Sequence, residues 1–199
     1  MSVDGGSTAS YGYDNQNRRY KKTVASTITH YVWEGSQAIS EYNGATGALL
    51  SDYVFSGGRM IAKAATGQYF LSDRLSVRLT TDANGNVTGR QGHLPFGEDF
   101  GESGAQEKHH FTGYERDTES GSDYGINRQY SLNSGRFLRP DPVEGSKDNP
   151  QSLNRYSYVK NDPVNAVDPL GLEAWQKKPT LRQLRSKTRH KNCHKTAPG

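Results

Sequence analysis

The first 80 residues of the chain carry short stretches in which aromatic and polar positions alternate. Tyr11-Gly-Tyr-Asp, Tyr31-Val-Trp-Glu and Tyr53-Val-Phe-Ser repeat a Tyr-x-aromatic-polar pattern at intervals of 20 and 22 residues. Tyr69-Phe-Leu-Ser-Asp is a fourth and more divergent copy. Alternation with a period of two is typical of β-strands with one aromatic face, so each copy predicts a short strand.

Turn signals separate these predicted strands. They are dipeptides of the types that close tight β-hairpins, namely Asn43-Gly44, Thr46-Gly47, Gly57-Gly58 and Asn84-Gly85. A repeat near 20 residues with a turn in each unit favours stacked β-hairpins in a solenoid-like ribbon. We therefore predict a mainly β fold. An ordinary antiparallel meander with unrelated tyrosines is the alternative.

Three Asp-Pro pairs punctuate the stretch from 135 to 172, at Asp141, Asp162 and Asp168. Proline fixes its own φ and pushes the preceding residue out of the helical region, so each aspartate is expected on a stiff, extended or turned backbone. Carboxylates held rigidly near one another and near a defined peptide bond suit an aspartyl-type hydrolysis. The alternative is that each Asp-Pro pair only marks a turn.

The same stretch resembles the core domain of the Rhs and YD-repeat proteins, the family that includes the C subunits of insecticidal toxin complexes. Pro163, four residues and then Asp168-Pro-Leu-Gly-Leu match the family's Pro-x-x-x-x-Asp-Pro-x-Gly-Leu signature. Residues 111–125 and 135–142 look like two further blocks of that core. The resemblance covers residues 11–172 and departs at Ser131, where the family usually has an aspartate.

The resemblance implies that the core cuts its own chain after the last leucine of the signature, at the Leu172–Glu173 bond. Two carboxylates sharing one proton would then act as base and acid. Asp141 is the first candidate and Asp168 the second, since Asp168 belongs to the signature itself. Asp162 and Asp148 are further candidates for the partner of Asp141.

Two arginines near the Asp141 block are candidates for holding or polarising a carboxylate. Arg136 and Arg139 have the alternative role of salt bridges at the edge of the repeat. Gly171 is expected to allow a positive φ or a close approach of the backbone at the cleavage strand. The activity would be a single-turnover aspartyl autoproteolysis that needs no cofactor, and the sequence leaves open whether this chain performs it.

Charge divides the chain at the same place. The 27 residues of 173–199 hold eight Lys or Arg and one acid, so this tail carries +7 and residues 1–172 carry −3. A polar run of this length builds no core of its own, and we expect it to be disordered. It offers weak attraction for nucleic acid or anionic lipid, and its His190, Cys193 and His194 are too few ligands for a metal site.

The predicted organisation is a YD-repeat β-hairpin segment over 1–110, a core plug over 111–172 and a variable basic tail over 173–199. In complete family members the repeats form a hollow shell around a toxic domain. The leading hypothesis is a C-terminal fragment of such a shell, secreted or delivered to a cell surface with the remainder of the shell or a secretion-system carrier. Residues 1–10 carry no signal-peptide pattern, and no apolar run approaches the roughly 18 residues of a membrane span.

The alternative hypothesis is a non-enzymatic surface module. In that case exposed aromatic side chains such as Trp33, Tyr53 and Phe55 bind carbohydrate, and the Asp-Pro pairs serve only as turns. A third hypothesis places a short basic effector in residues 173–199, acting on nucleic acid or membranes after release.

Overall fold

The computed structural model describes residues 2–3, 9–73, 75–172 and 175–176. Within these residues, strands and the turns between them account for most of the chain, with four short 3₁₀ turns at Ala64–Thr66, Phe111–Gly113, Pro150–Leu153 and Val159–Asn161. All strand pairs in the described part are antiparallel. The prediction of a mainly β fold is confirmed.

The first sheet is a meander in which each strand pairs with the next one along the chain. In the described residues it has eleven strands: β1 (Ser2–Val3), β2 (Ala9–Tyr13), β3 (Arg19–Val24), β4 (Thr27–Glu34), β5 (Gln37–Asn43), β6 (Leu49–Ser56), β7 (Arg59–Lys63), β8 (Gln68–Ser72), β9 (Val77–Thr81), β10 (Val87–Arg90) and β11 (Ser103–Gly104). Tight turns close the hairpins. At the predicted Asn84-Gly85 turn, Gly85 has a φ of 84°, which a residue with a side chain rarely adopts.

The tyrosine repeat places one buried aromatic on every second strand. Tyr11, Tyr31 and Tyr53 lie on β2, β4 and β6 and are 6%, 6% and 4% exposed. The fourth copy is displaced by one position, because Tyr69 is 51% exposed whereas Phe70 is 6% exposed. Neighbouring residues of a strand point to opposite faces, so a displacement by one residue changes which ring is buried.

A second, smaller sheet follows the meander and belongs to the predicted core. Its strands are β12 (Glu115–Asp117), β13 (Ser122–Gly125), β14 (Arg128–Ser131) and β15 (Arg136–Phe137). A two-stranded pair, β16 (Ala166–Val167) with β17 (Trp175–Gln176), ends the described chain. The predicted division near residue 110 falls between the two larger sheets, and its status as a domain boundary stays a prediction.

Aromatic rings form the hydrophobic centre of the second sheet. Phe111, Tyr130, Phe137 and Tyr158 are all at most 2% exposed. Their centroids lie 5.0 Å apart between Phe111 and Tyr158 and 5.4 Å apart between Tyr130 and Tyr158. Clusters of tilted and edge-on rings stabilise a core beyond the area that they bury. This packing fixes β14 and β15, the two strands that border the site described below.

Polar contacts join the two sheets. Arg19 on β3 is fully buried, and its guanidinium lies 4.5 Å from the centre of the Tyr11 ring and 4.0 Å from that of Tyr124. It donates to both carboxylate oxygens of Asp117 on β12, at 2.7 and 2.5 Å. A fork-to-fork pair of this kind fixes orientation as well as charge. The tyrosine face of the meander therefore holds the second sheet in place.

The burial of that face corrects the expectation of an exposed aromatic surface. Tyr53 is buried and donates its hydroxyl proton to Glu41 at 2.8 Å. Trp33 is only partly exposed, and its Nε1 donates to the Arg19 carbonyl at 2.8 Å. Phe55 packs on the neighbouring hydrophobic cluster. These rings face the second sheet because it covers the aromatic side of the meander. Among the described residues, no helix has the length and apolar character needed to cross a membrane.

Candidate functional site

The candidate site is built around Arg128, the first residue of β14. Its side chain is 4% exposed, and its Nη2 lies 2.9 Å from Asp141 Oδ2 and 3.3 Å from Asp168 Oδ2. The face of the guanidinium lies 3.6 Å from the centre of the Phe137 ring on β15. One buried cation therefore binds two of the three aspartates that the Asp-Pro pattern singled out.

Asp141 is fixed by its backbone beside the second sheet. Its N–H donates to the Arg155 carbonyl at 2.8 Å, and Arg155 Nε donates back to the Asp141 carbonyl at 2.6 Å. The carboxylate also accepts from the N–H of Val143 at 2.9 Å, a short turn of the kind expected after Asp-Pro. At 17% side-chain exposure, Asp141 keeps one side open to solvent.

Asp168 is held more deeply, directly after β16. It is 2% exposed, and its carbonyl accepts from the hydroxyl of the fully buried Tyr114. Its N–H faces the Tyr158 hydroxyl at 3.4 Å. Its carboxylate reaches forward along its own chain and accepts from the Leu172 N–H at 3.0 Å. The Asp168 carboxyl group therefore lies at the peptide unit that precedes the predicted scissile bond.

The segment leading to that bond is held through its carbonyl groups. The Leu170 carbonyl accepts from Asn127 Nδ2 at 2.9 Å, and the Gly171 carbonyl accepts from Arg128 Nε. Gly171 has a φ of 68°, and a Cβ there would lie 2.7 Å from the Gly125 carbonyl oxygen. Both features require glycine, as expected from the sequence.

The two carboxyl groups differ in their burial, which affects the pKa of Asp168. Removal from water raises the pKa of Asp168 above its ordinary value, although the backbone N–H groups of Leu172, Gly171 and Leu170 and the charge of Arg128 oppose the rise. Asp141 is the more exposed of the pair. A buried carboxyl group with a raised pKa beside a more exposed carboxyl group suits a division into acid and base.

A cleft of about 170 Å³ brings these groups to one surface. Arg128, Asp141, Asp168 and Leu172 all line it, together with Arg155 and Lys160. The volume exceeds that of several water molecules. The cleft therefore has room for water beside the two carboxyl groups and the end of the Asp168–Leu172 segment.

The other predicted residues lie elsewhere. Arg136 and Arg139 are exposed, and Arg139 lines a different cleft. Asp162 is exposed and accepts from Asn165 Nδ2 at 2.9 Å within its own turn. Asp148 is exposed in a loop. None of these four residues lines the cleft that holds Asp141 and Asp168. Glu173 and most of the basic tail lie outside the described residues.

Sequence inspection did not identify Arg128. The signal was present in the block Arg128-Gln-Tyr-Ser, which the family resemblance had singled out only for its missing aspartate at position 131. Residues two apart in a strand lie on the same face. Arg128 is therefore on the same face of β14 as Tyr130, which is fully buried. Its partners are 13 and 40 residues away along the chain, so only the fold brings them together.

One group among the described residues has ligands suited to a metal ion. Potential ligand atoms of Asp99, Glu102 and His110 all lie within 4.8 Å of one another. Both carboxylate oxygens of Asp99 accept from Arg116, at 2.9 and 3.1 Å. A cation bound there would lie beside a permanent positive charge. The group shares no residue with the cleft, and we assign no metal to it.

Comparison with known proteins gives two kinds of similarity. The tRNA3(Ser)-specific nuclease WapA of Bacillus spizizenii is 27% identical over 176 residues, which cover 84% of this chain and 8% of WapA. The probable deoxyribonuclease RhsB of Dickeya dadantii is 27% identical over 181 residues, covering 81% of this chain and 12% of RhsB. Over most of its length the chain is therefore similar to these two proteins.

The solved structures agree on the fold. The Photorhabdus luminescens Tc holotoxin pore, with a mutated TccC3, has a TM-score of 0.63 and 20% identity over 85% of this chain and 9% of that chain. At this identity the likeness establishes the fold alone. No family model matches the chain. The chain spans about a tenth of the length of these relatives, so their whole-protein activities do not transfer to it directly.

Proposed function

We propose that this chain is the core-bearing part of an Rhs-type toxin shell protein and that its cleft hydrolyses the Leu172–Glu173 bond of the same chain. The observation that carries the proposal is the binding of both Asp141 and Asp168 to Arg128 next to Leu172. A structural turn needs neither two carboxylates on one buried cation nor an open cleft beside them.

The proposed chemistry assigns different roles to the two aspartates. Asp141, on the open side of the cleft, takes a proton from a water molecule that attacks the Leu172 carbonyl carbon. Asp168, whose pKa burial raises, donates its proton to the departing nitrogen of Glu173 as the C–N bond breaks. The products are a carboxyl group on Leu172 and a free amine on Glu173, and solvent then restores the two protonation states.

Positioning supplies much of the rate in this proposal. The substrate is part of the same chain, and its Leu170 and Gly171 carbonyls are held by Asn127 and Arg128. Holding the reacting groups together replaces a bimolecular encounter, which is worth up to several kcal/mol of barrier. Arg128 keeps the two acidic groups in contact despite their mutual repulsion. The reaction runs once per molecule.

The test is expression of the full chain, followed by mass spectrometry for loss of residues 173–199. Asp141→Asn and Asp168→Asn are expected to stay intact, because each removes one of the two proton-transfer groups. The matched control is Asp148→Asn, since Asp148 is exposed and does not line the cleft. A parent chain that stays intact after folding, or an Asp141→Asn chain cut at the parent rate, contradicts the proposal.

Nuclease activity is a second candidate, favoured by the names of the relatives. WapA relatives named for different tRNAs and an RhsB relative named as a deoxyribonuclease match this chain at the same 27% identity. A region shared by proteins with such different substrates is poorly suited to determine the substrate. The test is incubation of the purified chain with tRNA and plasmid DNA, with and without a chelator. Cleavage lost in His110→Ala would favour this candidate and implicate the Asp99–Glu102–His110 group.

The proposed partners follow from the length of the relatives. The chain would act with the remainder of an Rhs shell or a secretion-system carrier, as part of a larger protein that is secreted or delivered to a cell surface. Residues 111–172 would be the self-cleaving core and residues 173–199 the released segment. Binding of carbohydrate, nucleic acid or anionic lipid has no support from the described contacts.

A further inference from the structure

The chain is paired with itself on both sides of the proposed cleavage site. β16 lies before the Leu172–Glu173 bond and β17 after it, and they pair antiparallel with Ala166 opposite Gln176 and Val167 opposite Trp175. Seven residues, 168–174, connect the two strands, and 168–172 are the described part of that connection. The bond therefore lies, along the sequence, between two strands that pair with each other.

Side chains of the second sheet and of Asp168 hold the chain before the Leu172–Glu173 bond. These contacts do not reach the chain after the bond. Asn127, Arg128 and Asp168 contact the Leu170, Gly171 and Leu172 peptide groups. Among the described residues, the ladder with β16 is the backbone contact that holds the chain after the bond. A scissile bond is fixed in direction only when both of its flanks are held, because one free flank lets the peptide plane rotate.

We propose that β17 is the docking strand for the departing chain, and that its backbone pairing with β16 holds the Leu172–Glu173 bond in the orientation that the cleft requires. This inference rests on the proposed function and adds to it a second, downstream half of the substrate site. Recognition there runs through main-chain hydrogen bonds, as when a peptide adds a strand to a sheet edge.

The same pairing explains how the product leaves. Before cleavage the loop tethers β17 to β16, so pairing is intramolecular and strongly favoured. After cleavage two paired residues are all that the described contacts offer to hold the released chain. Isolated short β-pairs are marginal in water. Hydrolysis thus converts a firm docking strand into a weak one without any other change in the fold.

The test uses the different directions of neighbouring N–H groups in a strand. In a two-residue antiparallel pair, one position of β17 directs its N–H to β16 and the other directs it away. Proline removes the N–H and keeps the extended backbone, so it is tolerated on an edge strand only at the outward position. Trp175→Pro and Gln176→Pro in the full chain are therefore matched variants, and only one of them loses a ladder hydrogen bond.

We expect one of these two variants to be cut about fivefold more slowly than the parent, the value of one hydrogen bond of about 1 kcal/mol, and the other at nearly the parent rate. Trp175→Ala and Gln176→Ala, which keep both N–H groups, are expected to resemble the parent. Rates come from mass spectrometry after refolding from urea, and the circular dichroism of the aromatic core confirms that each variant folds.

The outcomes separate this inference from the function that it rests on. A parent that is cut while the two proline variants are cut at equal rates, fast or slow, overturns the docking strand and leaves the cleft chemistry standing. A parent that is never cut overturns the proposed function and this inference with it. Unequal proline variants support both.

Discussion

Replacing Arg128 is the sharpest test of the site, because this side chain joins every part of it. Arg128→Met removes the cation between Asp141 and Asp168 and keeps an unbranched side chain for packing on Phe137. Asp168 is 2% exposed, so the variant leaves a buried carboxyl group without its counter-charge. Removing one partner of a buried ion pair typically costs about 3–5 kcal/mol.

The pH dependence of that loss has a definite sign. Burial already raises the pKa of Asp168, and loss of the Arg128 charge raises it further. A carboxyl whose pKa is higher in the folded chain than in the unfolded chain contributes stability at acid pH and loses it as pH rises through the folded value. The cost of Arg128→Met should therefore be small near pH 4 and approach about 3 kcal/mol at pH 7.

The assay is urea unfolding followed by circular dichroism at pH 4 and pH 7, with mass spectrometry to record whether each chain is cut. Arg128→Lys keeps the charge and loses the fork that contacts Gly171 and both carboxylates, so we expect an intermediate loss of stability and slow cleavage. Arg90→Met, at an exposed position on β10, is the control and should change stability by less than about 0.5 kcal/mol. An Arg128→Met chain that matches the parent in stability at pH 7 and in cleavage would refute the reasoning.

Three further predictions concern the surroundings of the site. Gly171→Ala should cost at least about 2 kcal/mol and prevent cleavage, because it combines a φ of 68° with a backbone clash; parent-like cleavage would contradict this. Tyr31→Phe should lose about 1 kcal/mol in urea unfolding because its buried hydroxyl donates to a carboxylate at 2.8 Å, whereas Tyr20→Phe, at a ring 51% exposed, should lose almost nothing. Burial raises the pKa of Glu107, but the contacts with His109 and Lys63 outweigh burial and lower that pKa to about 2. Glu107→Gln should therefore cost about 3 kcal/mol at pH 7 and less than about 1 kcal/mol at pH 2. A difference in stability that does not change with pH would exclude this explanation.

The sequence predicted where the strands lie better than it predicted which face of the meander is buried. Alternation and turn dipeptides are local signals, and they gave the hairpins of the meander. Which face is buried depends on what packs against it. The second sheet covers the tyrosine side, which is why Tyr53 is buried and Trp33 donates to a backbone carbonyl. Carbohydrate binding by these rings was an alternative drawn from the repeated aromatic positions. Tyr53 is buried and Trp33 and Phe55 are only partly exposed, so these rings are less exposed than that alternative assumed.

The site shows the same division between local and long-range information. Asp-Pro stiffness is local, and it singled out Asp141 and Asp168 without showing that the fold places both at Arg128. It also singled out Asp162, whose carboxylate only closes its own turn on Asn165. Only the resemblance to the Rhs core ranked Asp141 and Asp168 above Asp162. The physical difference is the position of Arg128, which depends on how β14 packs against the aromatic core.

The contacts on both sides of the Leu172–Glu173 bond are made to backbone groups rather than to side chains. The upstream anchors accept or donate through the peptide groups of residues 170–172, and the downstream pairing of β16 with β17 is also a backbone ladder. Such contacts constrain the path of the chain and place almost no demand on side chains after the bond. The glycine at 171 is the exception, because backbone meets backbone there. Under the proposed function, we expect a cleft of this kind to cut in front of unrelated downstream sequences, provided that two residues of each adopt an extended conformation beside β16.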